Sequence, residues 1–108
     1  MFVKYSDNKD EIGDPDAIGY LGQWSKETKK PNGRGIYINS SGIIRIGYLK
    51  NGYIAPGNFI LICIDKLVVG EAYKDQTGKL KSRETRYFND GRIEQRWWLI
   101  INHLTNLN

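Results

Sequence analysis

An internal disulfide is excluded, because Cys63 is the only cysteine among 108 residues. That fits a reducing compartment. Cys63 lies in the apolar run FILICI, residues 59–64, and reads as a small core residue; a reactive thiol needs an electropositive, partly open setting. The single histidine, His103, has no evident partner and reads as a bystander rather than a base. No cluster of His, Cys and carboxylates has metal-ligand spacing. No apolar run reaches the ~20 residues of a membrane span. Residues 1–10, MFVKYSDNKD, lack the apolar core of a secretory signal and are too acidic for a transit peptide, so a soluble, cytoplasmic protein is expected. Proline is scarce, at 3, while glycine reaches 12 of 108, above the usual ~7 %. That contrast predicts tight turns and bulges rather than disorder. No glycine cluster leads into a helix or a Lys-Ser/Thr pair, so a phosphate cradle is unsupported. The expectation is a non-enzyme without cofactor or metal, for which a small-molecule substrate is not foreseen.

Aromatics are plentiful: seven Tyr, three Trp and three Phe in one short domain. Glycine alternates with them in GYLGQW (residues 19–24) and GRGIY (residues 33–37), the pattern of a twisted antiparallel ribbon. Strands are predicted over residues 18–24, 34–38, 43–49, 58–64, 67–74, 79–88 and from 92 to about 101. In the first, Ile18, Tyr20, Gly22 and Trp24 share one face and Gly19, Leu21 and Gln23 the other. Residues 58–64 are almost continuously apolar, which predicts cover on both faces. Residues 79–88 alternate in polarity and read as a mostly exposed strand. Turn signals recur near residues 32, 41, 51, 65, 77 and 90, a spacing of an all-β meander rather than a βαβ fold. Residues 5–16 read as an irregular lead-in. From Trp97 onward two readings stand open: Trp97, Ile100, Ile101, Leu104 and Leu107 have helical spacing, and WWLII also suits a strand followed by a short helical or irregular end.

A period of 22–23 residues underlies this rhythm, with Gly35-Ile36-Tyr37 recurring as Gly57-Asn58-Phe59. Tyr20, Gly22, Trp24, Gly33, Gly35, Tyr37 and Gly42 together resemble the MORN repeat. In the second unit Arg45 stands in the Tyr position, Leu49 in the Trp position and Phe59 in that of the closing Tyr. Residues 73–94 resemble the shorter repeat variant of bacterial antitoxin-like proteins. The resemblance covers residues 19–95 and implies stacked hairpins, either as a short solenoid or as a single twisted sheet, in a scaffold or assembly protein. The expected organisation is a leader or cap over 1–17, repeats over 18–96 and a C-terminal cap over 97–108.

Charge is unevenly placed. Residues 1–18 carry two basic and five acidic side chains, and the remainder fourteen basic and seven acidic, for a net charge of +4. Two candidate partner surfaces follow. One is the aromatic set Tyr20, Trp24, Tyr37, Tyr48 and Tyr53, to be divided between core packing and partner contact. The other is Lys79, Lys81, Arg83, Arg86, Arg92 and Arg96, either a solvated face or a site for an acidic partner. Acidic residues interspersed from Lys74 to Arg96 argue against nucleic acid. Glu84 and Glu94 are expected to face each other across the last hairpin as solvated charges. The leading expectation is a non-catalytic protein-binding or scaffold module. A small intracellular inhibitor, such as an antitoxin or immunity protein, and an anionic-phospholipid-binding module at a membrane surface are the alternatives.

Overall fold

The computed structural model describes residues 1–99. Nine strands and one helical turn follow in chain order: β1 (Phe2–Ser6), α1 (Lys9–Ile12), β2 (Ala17–Trp24), β3 (Pro31–Asn39), β4 (Ile44–Lys50), β5 (Tyr53–Ile54), β6 (Gly57–Ile62), β7 (Lys66–Lys74), β8 (Leu80–Phe88) and β9 (Ile93–Leu99). All pair antiparallel in one open sheet of order β1-β2-β3-β4-β6-β7-β8-β9, with β5 paired to β4. The predicted all-β meander is therefore present, as a single sheet with its hairpins side by side. The expected end of the chain, residues 100–108 with His103, lies outside the described residues.

Local chemistry sets the turns. Asn51 and Gly52 both adopt positive φ, 52° and 86°, the two-residue geometry that Asn-Gly favours between twisted strands. Asn39, Asp75 and Asp90 each accept backbone N–H bonds through a side-chain oxygen two residues on, closing three further turns. Two expectations fail here. The Pro31-Asn32-Gly33 turn does not exist: Pro31 opens β3 opposite Trp24, a first-strand position that proline tolerates, and the turn falls at residues 26–28, where the Ser25 hydroxyl accepts from Glu27 and Thr28 N–H. The lead-in is also not irregular. Tyr5 and Ser6 complete β1, and Asn8 caps α1 by accepting from Asp10 and Glu11 N–H.

One face of the sheet, the inner face, holds the core: Tyr20, Trp24, Tyr37, Leu49, Phe59, Leu61, Val68 and Ala72, with Ile12 from α1 and Ile54 from β5. A register irregularity between Ala17 and Gly19 turns Ala17 inward and leaves Ile18 53 % exposed, so Ile18 does not share the face of Tyr20. With so little besides the sheet, the inner face covers itself. Long flat side chains lie along it over glycines of the same or the next strand. A β-carbon on Gly35 would stand 2.2 Å from the Tyr20 hydroxyl oxygen and 2.4 Å from its Cζ; one on Gly22 would stand 2.5 Å from the Gly35 Cα. Tyr20 then meets Trp24 edge-on, with centroids 5.5 Å apart at 81°. The Trp24 indole N–H donates to the Lys4 carbonyl at 2.9 Å, tying β1 across the ring.

Residues 58–64 are covered on one face only. Phe59 and Leu61 point inward, while Ile60 and Ile62 are exposed; no second layer lies over them among the described residues. Strand β8 is more covered than its alternation suggested, with Ser82 buried and most of its other side chains half-buried.

Gly35→Ala tests the self-covering arrangement. The added methyl meets the buried Tyr20 ring, so urea unfolding should show a loss of about 1–3 kcal/mol. Gly78→Ala, with nothing within 4 Å but φ +84°, should lose only about 1 kcal/mol. Equal losses would refute the close approach as the cause.

Candidate protein interface

Burial divides the aromatic candidates. Tyr20 and Trp24 are 1 % exposed and Tyr37 2 %, so these three are core and not partner contacts. The Tyr37 hydroxyl donates to the Asp14 carboxylate at 2.7 Å in the interior, and the Tyr20 hydroxyl donates to the Gln23 carbonyl. Tyr53, 60 % exposed, sits at the β4–β5 turn. Tyr48 is half-buried on the other, outer face, where Arg34 donates to its hydroxyl at 2.8 Å and lies 5.4 Å from its ring.

Strand alternation likewise splits the basic candidates. Lys81 and Arg83 lie on the outer face, Arg86 and Arg96 on the inner, Lys79 is exposed in the turn before β8, and Arg92 precedes β9. They form no single patch. Five also have carboxylate partners: Lys81 with Asp75 (3.2 Å), Arg83 with Glu71 (3.5 Å), Arg86 with Glu84 (3.5 Å), Arg92 with Asp90 (2.8 Å) and Arg96 with Glu94 (2.7 Å). The Asp75 carboxyl is held low by the Thr77 hydroxyl first, then by backbone N–H groups and Lys81. Glu84 does not face Glu94. Their register partners are Arg96 and Arg86, so the two carboxylates sit diagonally between guanidiniums.

What the structure does bring together is an aromatic–basic margin on the outer face. Asn58, Glu71, Arg83 and Trp97 occupy one row across β6 to β9. The Arg83 guanidinium lies 4.8 Å from the Tyr73 ring and 5.5 Å from that of Trp97, the stacked geometry of cation–π contacts. Beside it is a depression of about 130 Å³ lined by Val69, Arg83, Thr85, Gln95 and Trp97. Trp97, 66 % exposed, forms its open wall. Tyr73 and Trp97 were absent from the sequence candidates. Their signal was the β8 turn spacing, which places both beside Arg83 once the pairing of β7, β8 and β9 is fixed.

Cys63 packs against the core, and burial raises its thiol pKa, so the thiolate is disfavoured there. Among the described residues no group of three or more His, Cys, Asp or Glu could hold a metal ion, and no helix is long and apolar enough to cross a membrane. No family model and no curated protein matches the chain. The likeness to MORN repeats is carried by the residues alone.

The buried phenols make stability pH-dependent at the alkaline end. Burial pushes Tyr20 up to about 12, and burial, followed by the hydrogen bond to Asp14, raises Tyr37. Folded values above the unfolded ~10 mean full stability below pH 10, where both states hold the proton. Above it the unfolded chain ionises first, and stability falls by up to about 1.4 kcal/mol per pH unit per phenol. Urea midpoints should therefore drop steeply from pH 10 to 12, and less steeply in Tyr20→Phe; an unchanged slope in that variant would contradict the assignment.

Proposed function

We propose that the chain is a non-catalytic protein-binding module whose outer sheet face presents an aromatic and basic surface to a partner protein. The observation that supports it most is Arg83 held between Tyr73 and Trp97 at the edge of an open depression. Tyr, Trp and Arg dominate interface energetics because each brings large area or planar hydrogen bonding at low entropic cost. The ring contacts and the Glu71 pairing hold the guanidinium in place before a partner arrives. Tyr48 with Arg34 repeats the pairing on β3 and β4.

The internal ion pairs bear on the alternatives. Cations already matched to Asp75, Glu71, Glu84, Asp90 and Glu94 offer little free charge to an anionic membrane. A partner that stacks on Trp97 suits the module better than one that reads charge alone. A small inhibitor of a toxin or enzyme is one form this module takes, with the same face as its contact.

Native extract probed with the tagged chain tests the reading. Wild type should recover one protein in stoichiometric amount. Trp97→Ala should weaken that binding about tenfold or more, while Lys26→Ala, in the turn before β3, should not. No stoichiometric partner, or equal recovery with Trp97→Ala, counts against the margin.

A further inference from the structure

Five of the six arginines have a hydrogen-bond or ion-pair partner: Arg34 donates to the Tyr48 hydroxyl, and Arg83, Arg86, Arg92 and Arg96 pair with carboxylates. Arg45 has neither among the described residues, yet it is the one arginine that is buried, at 3 % exposure. It stands on the inner face between Tyr37 and Leu61. Leu61 offers no acceptor, and the Tyr37 hydroxyl is turned to Asp14. The guanidinium lies over Gly47, with the Phe59 ring 5.1 Å away. Its pKa is lowered by burial, and no carboxylate acts on it.

We propose that Arg45 recognises a small monovalent anion, of carboxylate or halide size, at the inner face. Packing does not call for a charge in this place. Tyr20 covers Gly22 and Gly35 as a neutral ring, so a glycine floor is filled as well without one. A buried charge is costly unless it is paired. A buried donor left unsatisfied in a native fold points to a partner from outside the chain, either water or an ion. Water would satisfy a donor but leave the charge uncompensated, whereas an anion does both. Access is at the tip of the side chain: Nε is closed off from solvent and the two Nη atoms are not. Their N–H groups donate to an anion in charge-assisted bonds, about twice as strong as neutral ones. The surroundings set the valence. With one guanidinium and no second cation facing it across β3 or β6, a divalent sulfate or phosphate would bring a charge that nothing there neutralises. So small an exposed tip also admits only a small ion.

The site uses no residue of the Arg83–Trp97 margin, so either reading can fail while the other stands. Urea unfolding of the full chain tests it, with sodium gluconate replaced stepwise by sodium formate or chloride at constant ionic strength, so that screening does not change. The wild-type midpoint should rise and saturate. At about ten times the half-saturating concentration the folded-to-unfolded ratio should be about tenfold higher. Arg45→Tyr, which restores a neutral ring over the glycine, should fold and show no saturating rise. Arg45→Gln, planar and neutral, serves if circular dichroism shows Arg45→Tyr unfolded. In wild type the Arg45 Nε–H resonance should move with formate along the same saturation curve, while that of Arg92, already held by Asp90, should stay in place. A wild-type midpoint without saturation, an equal rise in the Arg45 variants, or an Arg45 resonance that formate leaves unmoved would overturn the proposal.

Discussion

Among the described residues no second layer opposes the sheet to bury its rings, so they lie flat, and flat rings need floors without side chains. Tyr20 lies over Gly22 and Gly35. Arg45 lies over Gly47, and Phe59 reaches Gly70. On the outer face Tyr48 covers Gly57. Each slot converts a backbone opening into van der Waals contact and removes a large apolar surface from water without a second sheet. The rest of the inner face follows from it. Trp24 stands against the edge of Tyr20, β1 closes over Trp24 through Lys4, and the Tyr37 hydroxyl reaches the buried Asp14 carboxylate.

Arg45 shows what the slot selects. It lies over Gly47 of its own strand as Tyr20 lies over Gly22, is 3 % exposed, and lies 5.1 Å from the Phe59 ring. Its buried Nε has no hydrogen-bond partner, and burial pulls the guanidinium down to about 10. A charged group so placed costs folding free energy. A guanidinium is nonetheless planar and weakly hydrated, and it stacks on aromatic rings, so it satisfies the shape requirement that a rounded aliphatic chain does not. On β7, Val68 and Ala72 flank Gly70, and the slot is filled instead by Phe59 from the neighbouring strand. The side chain that fills the slot therefore differs from strand to strand while the glycine floor is kept.

Strands and turns were legible because both are encoded locally. Alternation fixed the strands; Asn39, Asp75 and Asp90 marked turns through short-range hydrogen bonds, and Asn51-Gly52 through its tolerance of positive φ. Failures came where a neighbour decided. Pro31-Asn32-Gly33 has every local mark of a turn, yet pairing with Trp24 and Leu49 holds it in the strand, with Gly33 at φ 110°. Residues 58–64 read as doubly covered because apolar content alone cannot say whether a second layer exists. The aromatic candidates were divided by burial, which depends on the glycine floors. The basic set was divided by register, which placed alternate cations on opposite faces and a carboxylate beside five of them. Trp97 and Tyr73 joined Arg83 only through pairing of three strands.

The two faces of the sheet change differently along it, and that contrast bears on function. The inner face begins with rings at Tyr20, Trp24 and Tyr37, passes through aliphatics at Leu61, Val68 and Ala72, and ends in paired charges at Glu84, Arg86, Glu94 and Arg96. This gradient matches the covering available, since α1 contacts β1 and β2 and β5 pairs with β4 at that end, where Ile12 and Ile54 join the core. The outer face carries apolar residues from Leu21 to Ile93, beside a row that includes Arg34, Asn58, Glu71 and Arg83, and the row of Val69 continues as Thr85 and Gln95. The exposed apolar positions exceed what folding within one chain needs, because exposed sheet positions tolerate Thr, Lys or Glu at little cost.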